Sequence, residues 1–210
     1  MACDASIERG LTAIGLKLIA GVDEVGRGCL AGPVVAAAVI LNLDDIPEGI
    51  NDSKQLTAKK REELAEEIER RALAFSVARV EHDEIDRINI LQATFVAMTR
   101  AVKALQPKSD YVLIDGRHLL PSLDCPQQAI IKGDSLSVSI GAASIMAKVA
   151  RDHWMQDYDR QYPGYGFSSH VGYNTRQHQE ALAQLGPSAI HRRTFHGVLS
   201  FQPLLDLRGD

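Results

Sequence analysis

The chain has 210 residues, 45% hydrophobic and 24% charged, which is the composition of one ordinary globular unit. Acidic residues outnumber basic ones by 27 to 23, so the chain is not a uniformly basic nucleic-acid coat, and any polyanion must meet a local basic patch. The longest apolar run, residues 34–41, is far short of the roughly 20 residues of a membrane-spanning helix.

The N-terminal half predicts strands and helices in alternation. A short apolar run, residues 18–22, ends in Asp23 and Glu24, and a glycine-rich turn separates it from a second strand over residues 34–41. Apolar positions at helical spacing predict a helix over residues 58–72, and residues 75–80 suit a half-buried strand. From Ile88 to Leu105 the apolar positions step by three and four, which predicts a long helix with one apolar face.

The C-terminal half continues the pattern. Pro107 ends the long helix, and strands are predicted over residues 111–114 and 129–131. A helix is predicted from about residue 138 to 158, then a loop beyond Tyr162 and a helix over residues 175–185. We therefore expect an α/β fold, a mixed sheet flanked by helices, as a single domain over residues 1–210 with a helical C-terminal appendage from about residue 160.

Carboxylates follow several of these elements. Asp23 and Glu24 come after the first strand, Asp115 after a later strand, and Asp134 near a helix start. If the strands are neighbours, the acids meet, and such a group stays ionised only when cations neutralise it. Oxygen-only ligands indicate Mg²⁺ or Mn²⁺, and two such ions roughly 3.5 to 4 Å apart would activate water against a phosphodiester.

Each acid alone is equally consistent with a helix cap, a turn or a solvated strand end, and for Asp134 a cap is the simpler interpretation. Neighbouring strand residues point to opposite faces, so joint ligation by Asp23 and Glu24 requires the strand to end or bulge there.

Further residues are candidates for contact with substrate. Gly26, Arg27 and Gly28 form a turn whose backbone can approach a sugar or phosphate closely, although an ordinary strand connection is the alternative. Tyr173 offers a ring for stacking, although a lone tyrosine more often packs. Possible phosphate contacts, each of which is alone more often a surface charge, are Lys54, Lys148, Arg151, Arg192 and Arg193.

Neither the histidines nor the cysteines predict a metal site. No histidine pair has zinc-ligand spacing, so His170, His178 and His191 are interpreted as structural or polar-contact residues. The three cysteines form no CxxC pair and leave an odd thiol, which fits a reducing compartment. With no secretory signal visible, we expect a cytoplasmic protein.

The chain resembles bacterial ribonuclease HII in motifs that fall in family order. They are GVDEVGRGCLAGPVV at 21–35, NDSKQLT at 51–57, IDG at 114–116, KGD at 132–134, AASIMAKVARD at 142–152, GYNT at 172–175 and HRRTF at 191–195. The resemblance implies the ribonuclease H-like fold, Mg²⁺ or Mn²⁺, and hydrolysis that leaves a 5′-phosphate and a 3′-hydroxyl. The implied substrates are RNA/DNA hybrids and DNA containing single ribonucleotides, cut on the 5′ side during ribonucleotide removal.

The resemblance also implies roles for particular residues. Catalytic and metal-binding roles fall on Asp23, Glu24, Asp115 and Asp134. The turn at residues 26–28 resembles a reader of the ribose 2′-hydroxyl, Tyr173 a residue that stacks on the next sugar, and Lys54 a phosphate ligand. A monomer without a membrane partner is expected, and the sequence does not indicate a recruitment partner.

Two other classes of protein are alternatives. Another nuclease on the same fold, such as a junction resolvase or a type 3 hybrid-cutting enzyme, would share the acids, and the glycine turn with Tyr173 argues against it. A non-enzymatic nucleic-acid module would need a basic face and stacking aromatics, but only 5% of the residues are aromatic.

Overall fold

The structure is a computed structural model and describes residues 3–199. Five strands form one sheet in the order β3-β2-β1-β4-β5. The strands are β1 (Ile19–Val25), β2 (Val34–Ile40), β3 (Ala74–Val80), β4 (Tyr111–Asp115) and β5 (Gln127–Ile130). The first three strands pair antiparallel, whereas β4 runs parallel to both β1 and β5. The predicted mixed sheet is confirmed.

Helices cover both faces of the sheet. They are α1 (Ser6–Ala13), α2 (Ala58–Arg71), α3 (His82–Ile88), α4 (Ile90–Ala104), α5 (Val138–Gln161), α6 (Phe167–His170) and α7 (Arg176–Leu185). Alternate residues of β2 point to opposite faces, so Ala36 and Ile40 pack with α4 whereas Val35 and Val39 pack with α2 and α5. Both faces of this strand are therefore buried.

The close fit of α5 to the sheet depends on Gly21. A Cβ added there would lie 2.1 Å from the backbone carbonyl carbon of Ser139, at the start of α5. Glycine therefore allows the helix to approach β1 two residues before Asp23. This contact brings the buried start of α5 next to the acidic end of β1.

Some boundaries differ from the sequence-based predictions. The helix predicted from Ile88 to Leu105 is found as α4, which begins two residues later because the side chain of Asn89 accepts hydrogen bonds from the N–H groups of Leu91 and Gln92 at 3.0 and 3.1 Å. Helices α1 and α3 were not predicted, and α6 lies where a loop was predicted. β1 extends to Val25, so Asp23 and Glu24 lie within the strand and not after it.

The C-terminal part of the described chain packs on the sheet end. The predicted helix over residues 175–185 is confirmed as α7, with the Thr175 side chain as its N-cap. Around it, an apolar cluster that includes Phe167 and Leu182 also takes in Leu30 and Ala31, which follow the glycine turn. The C-terminal helices are thereby fastened to the β1–β2 connection. Among residues 3–199, no helix combines the length and apolar character needed to cross a membrane.

Candidate active site

Three carboxylates converge at the end of two neighbouring strands. Asp23, Glu24 and Asp115 each offer an oxygen, and these oxygens all lie within 4.8 Å of one another. Asp23 is buried, and the other two side chains are half-buried. The structure therefore brings together three of the four acids that the sequence singled out.

The strand ladders explain how adjacent residues of β1 share one site. Pairing with β2 is regular through Val25, so there is no bulge at Asp23 or Glu24. Pairing with β4 ends earlier, at Val22 opposite Ile114. We expected the strand to end or bulge at these residues. It does neither in its pairing with β2, but its pairing with β4 does end just before Asp23. Because β4 ends at Asp115, the side of β1 at residues 23 and 24 is open to side chains.

Crowding and burial disfavour charge on these acids. Burial raises the pKa of Asp23 well above its usual value, and the carboxylates of Glu24 and Asp115 raise it further. Burial likewise raises the pKa of Glu24, with the Arg27 guanidinium opposing the rise. The pKa of Asp115 is raised first by burial and then by the charge of Asp134. Three acids with raised pKa values in one place form a site that favours cations.

Asp134 lies beside this group, outside the cluster of three. It follows Gly133, whose N–H donates to Asp115 Oδ1 at 2.7 Å, in a short 3₁₀ turn that precedes α5. Lys54 Nζ lies 3.4 Å from Asp134 Oδ2, and its side chain is 78% exposed. The predicted phosphate ligand therefore stands at the edge of the acidic group with its ammonium open to solvent.

The glycine turn has two structurally different glycines. Gly26 has φ +92°, and a Cβ there would lie 2.2 Å from Nε of Arg151, so the fold itself requires glycine. A Cβ at Gly28 would meet no atom of the described residues within 4 Å. Gly28 thus faces open space, where a ligand can approach the backbone.

A buried arginine sets the direction of this turn. Arg192 donates from Nη2 to the carbonyl of Gly26 at 2.7 Å and from Nη1 to the carbonyl of Arg27 at 2.9 Å. With these carbonyls bound inward, the N–H groups of Arg27 and Gly28 have no hydrogen-bond acceptor in residues 3–199. The turn therefore presents donors, not acceptors, to a ligand.

Two of the basic residues considered for phosphate contact are buried and cannot reach a phosphate. Arg151 and Arg192 are both fully buried, at 0% exposure. Among residues 3–199 their guanidinium groups donate to backbone carbonyls alone, those of Ala31, Pro33 and Val171 in the case of Arg151. The sequence cannot separate such an arginine from a surface one, because burial depends on packing of distant segments. Lys148 is held by Asp152 at 2.6 Å, and Arg193 is exposed.

Tyr173 lies close to the glycine turn. Its side chain is 41% exposed, and it lies near the thiol of Cys29, the residue that follows Gly28. The carbonyl of Gly172 accepts a hydrogen bond from the N–H of Leu30 at 2.8 Å. Tyr173 and the turn therefore belong to one surface, although 145 residues separate Gly28 from Tyr173 in the chain.

One contact of the acidic site was missed. Ser144 is buried on α5, where its hydroxyl contacts Asp23 and lies 3.0 Å from the hydroxyl of Ser53. It joins Asp23 to the segment that carries Lys54. Its one sequence signal is that it is the single polar residue in the apolar run over residues 141–147.

Comparison with known proteins gives this arrangement a family. The sequence model for ribonuclease HII matches residues 20–198. A ribonuclease HII of Ruegeria sp. (strain TM1040) is 52% identical over 195 residues, which cover 93% of this chain and 85% of that protein.

Two solved structures share the fold. The ribonuclease H2 of Pyrococcus horikoshii OT3 superposes with a TM-score of 0.75 at 27% identity, over 87% of this chain and 96% of that one. The ribonuclease HII of Archaeoglobus fulgidus, solved in complex with PCNA, has a TM-score of 0.72 at 27% identity, over 85% of this chain and 95% of that one.

A mixed five-stranded sheet with clustered acids at the ends of two neighbouring strands is the architecture of a ribonuclease H-like enzyme. The chain belongs to the ribonuclease HII family.

Proposed function

We propose that this enzyme hydrolyses the RNA strand of RNA/DNA hybrids and cuts on the 5′ side of single ribonucleotides embedded in duplex DNA, leaving a 5′-phosphate and a 3′-hydroxyl. The observation that carries the proposal is the convergence of Asp23, Glu24 and Asp115 within 4.8 Å at one edge of the sheet. Family membership supports the class of substrate.

The acidic cluster fits a divalent cation. Its donors are all carboxylate oxygens, which suit Mg²⁺ or Mn²⁺ and not zinc. The raised pKa values of all three acids indicate too little compensating positive charge from the protein itself. Asp23, Glu24 and Asp115 would hold the ions, with Asp134 beside them. Two bound ions would supply an activated water and stabilise the leaving oxygen.

The remaining residues would bind and orient the substrate. Lys54, whose side chain is exposed beside Asp134, would hold a phosphate. The free N–H groups of Arg27 and Gly28 can donate to a ribose 2′-hydroxyl, which DNA lacks. The exposed ring of Tyr173 can stack on the adjoining sugar and so fix the register of the scissile phosphate.

The cellular setting is also part of the proposal. The three cysteines are free, which suits the expected cytoplasmic location, and we propose a monomer. The archaeal relative was solved with PCNA.

One cleavage assay tests the proposal. Three duplexes of the same sequence are compared: all DNA, DNA with one ribonucleotide, and an RNA/DNA hybrid, each with Mg²⁺, Mn²⁺ or a chelator. We expect cutting of the last two only, and only with a cation. Cleavage of the all-DNA duplex, or full activity in chelator, would contradict the proposal.

A further inference from the structure

Three buried histidines lie directly beneath Tyr173. His170, His178 and His191 are all buried, and His170 stacks on His178 with ring centroids 4.4 Å apart. Among the described residues, none of the three rings forms an ion pair with a carboxylate. Their hydrogen bonds run instead to one another, to the backbone and to the hydroxyl of Ser188. Buried polar groups of this kind are destabilising unless each one has a hydrogen-bond partner.

The direction of each hydrogen bond can be assigned from its partners. The N–H of Ser188 donates to His191 Nδ1 at 2.9 Å, so this nitrogen is unprotonated and the proton of His191 is on Nε2. His178 Nδ1 lies 2.9 Å from the carbonyl of Tyr173, so that nitrogen must carry the proton of His178. The 3.0 Å contact between the two Nε2 atoms is then a bond donated by His191 to His178.

A single neutral tautomer of each ring satisfies the whole series. It runs from Ser188 through His191 and His178 to the Tyr173 carbonyl, with every donor matched to an acceptor. Burial lowers the pKa of both His178 and His191 to about 4, so both rings are neutral at neutral pH.

The other end of the series is tied to the glycine turn. His191 precedes Arg192, which holds the carbonyls of Gly26 and Arg27, and His191 itself bridges to Ala31. His191 is therefore connected through His178 to Tyr173, and the adjacent Arg192 is bonded to the glycine turn. The segment that carries both residues sets where Tyr173 lies relative to the turn.

We propose that His178 and His191 are positioning residues that hold Tyr173 at the correct distance from the glycine turn through their series of directed hydrogen bonds. This inference rests on the proposed role of Tyr173 in reading a single ribonucleotide. Neither histidine touches the substrate. Their effect is on the backbone of Tyr173, and so on the register of the sugar next to the scissile phosphate.

Asparagine and glutamine test the direction of these bonds, because the amide of asparagine occupies the place of imidazole Nδ1 and that of glutamine the place of Nε2. At His191, glutamine keeps the donor to His178, whereas asparagine loses it. At His178 neither amide preserves the series: asparagine keeps the donor to Tyr173 but loses the acceptor for His191, whereas glutamine loses the donor to Tyr173. A requirement for bulk alone would rank the two amides alike at His191.

The measurement is kcat and KM on the single-ribonucleotide duplex and on the continuous hybrid, below the lowest Tm of the set. We expect His191→Asn, His178→Gln and His178→Asn to lower kcat on the single-ribonucleotide duplex about five- to tenfold more than on the hybrid. His191→Gln should stay near the wild-type ratio. His196→Asn, at an exposed histidine, is the matched control. Equal losses on both substrates in step with Tm would overturn the proposal.

Combination with Tyr173→Ala tests whether the histidines act through the tyrosine. In that background His191→Asn should add nothing further to the selective loss, because the group that it positions is gone. If His191→Asn causes the same selective loss without Tyr173 as with it, the histidines do not act through the tyrosine and the inference is refuted.

A second readout separates this inference from the proposed function. If Tyr173→Ala lowers both activities equally, the ribonucleotide-reading role is wrong. The positioning inference is then judged by the amide resonance of Tyr173, which should move in His191→Asn, His178→Gln and His178→Asn and stay in place in His191→Gln. An unmoved resonance in the first three variants would overturn it. The same spectra cover the case in which one variant fails to fold, since the variants at the other position are measured independently.

Discussion

Replacing Asp23 with asparagine removes one negative charge from the centre of the acidic cluster while keeping the shape of the side chain. The introduced asparagine would still accept the hydrogen bond that the N–H of Glu24 donates at 2.7 Å, because the amide oxygen takes the place of Oδ1. The substitution therefore changes charge more than packing. We expect cleavage to fall by more than about a hundredfold, the usual cost of losing one charged group at a reacting centre.

The same variant should be more stable than the wild type in the absence of divalent cations. Two unit charges no more than 4.8 Å apart repel by at least about 3.5 kcal/mol at an effective dielectric constant near 20. Since partial protonation already relieves part of this repulsion, we expect a gain in the free energy of unfolding of about 1 to 3 kcal/mol. In a chain of this length that corresponds to a rise in Tm of roughly 2 to 12 °C.

The pH dependence of stability independently predicts that Asp23→Asn stabilises the fold. The pKa of Asp23 is raised in the folded state, so its ionisation costs stability once the pH exceeds the unfolded value of about 3.9. The gain from Asp23→Asn should therefore be present at pH 8 and vanish as the pH falls towards about 4. Saturating Mg²⁺ should narrow it at pH 8, because the wild type is stabilised by binding the ion.

Thermal unfolding at pH 4 and pH 8, with Mg²⁺ and with chelator, measures all of this in one series. Asp124→Asn, at an exposed carboxylate, is the control and should leave Tm and cleavage unchanged. Wild-type turnover of Asp23→Asn in Mg²⁺, or a Tm gain that is the same at both pH values, would refute the electrostatic reasoning.

Three further predictions concern the substrate. Lys54→Ala should reduce by about one the slope of log affinity for duplex against log salt concentration. Lys108→Ala, at another exposed lysine, should leave this slope unchanged. Equal slopes in the two variants would mean that Lys54 does not contact a phosphate. Tyr173→Ala should lose far more activity on a single ribonucleotide than on a hybrid, and proportional losses would contradict the junction role. Gly28→Val should fold normally, since a Cβ there meets no atom of the described residues within 4 Å, yet lose activity on both substrates; unimpaired cleavage would mean that nothing approaches Gly28 closely.

Local sequence patterns were informative about the elements and about which acids end them. An apolar run that stops at two carboxylates predicts a strand whose end is polar, and the strand over residues 111–114 that delivers Asp115 was found within one residue of its predicted end. The pattern could not show that β1 and β4 are neighbours. That adjacency is a crossover between strands about 90 residues apart, and periodicity describes only one element at a time.

The same limit explains the misplaced arginines. Arg151 and Arg192 are charged residues in motif-rich segments, and charge alone predicts exposure. Burial became favourable only because the folded chain offers each guanidinium several backbone carbonyls from the β1–β2 connection. The histidines beneath Tyr173 are similar: their lack of zinc spacing was visible in the sequence, but their hydrogen-bonded order was not.

The sequence by itself singled out the candidate residues: four acids, a glycine turn, a lysine and a tyrosine. Only the tertiary structure decided that three of the acids share one cluster, that Asp134 stands beside it, and that the turn has its carbonyls bound inward and its N–H groups free. The physical reason is that residue type and spacing specify local conformation, whereas charge repulsion and hydrogen-bond direction depend on distances between segments that meet only in the folded chain.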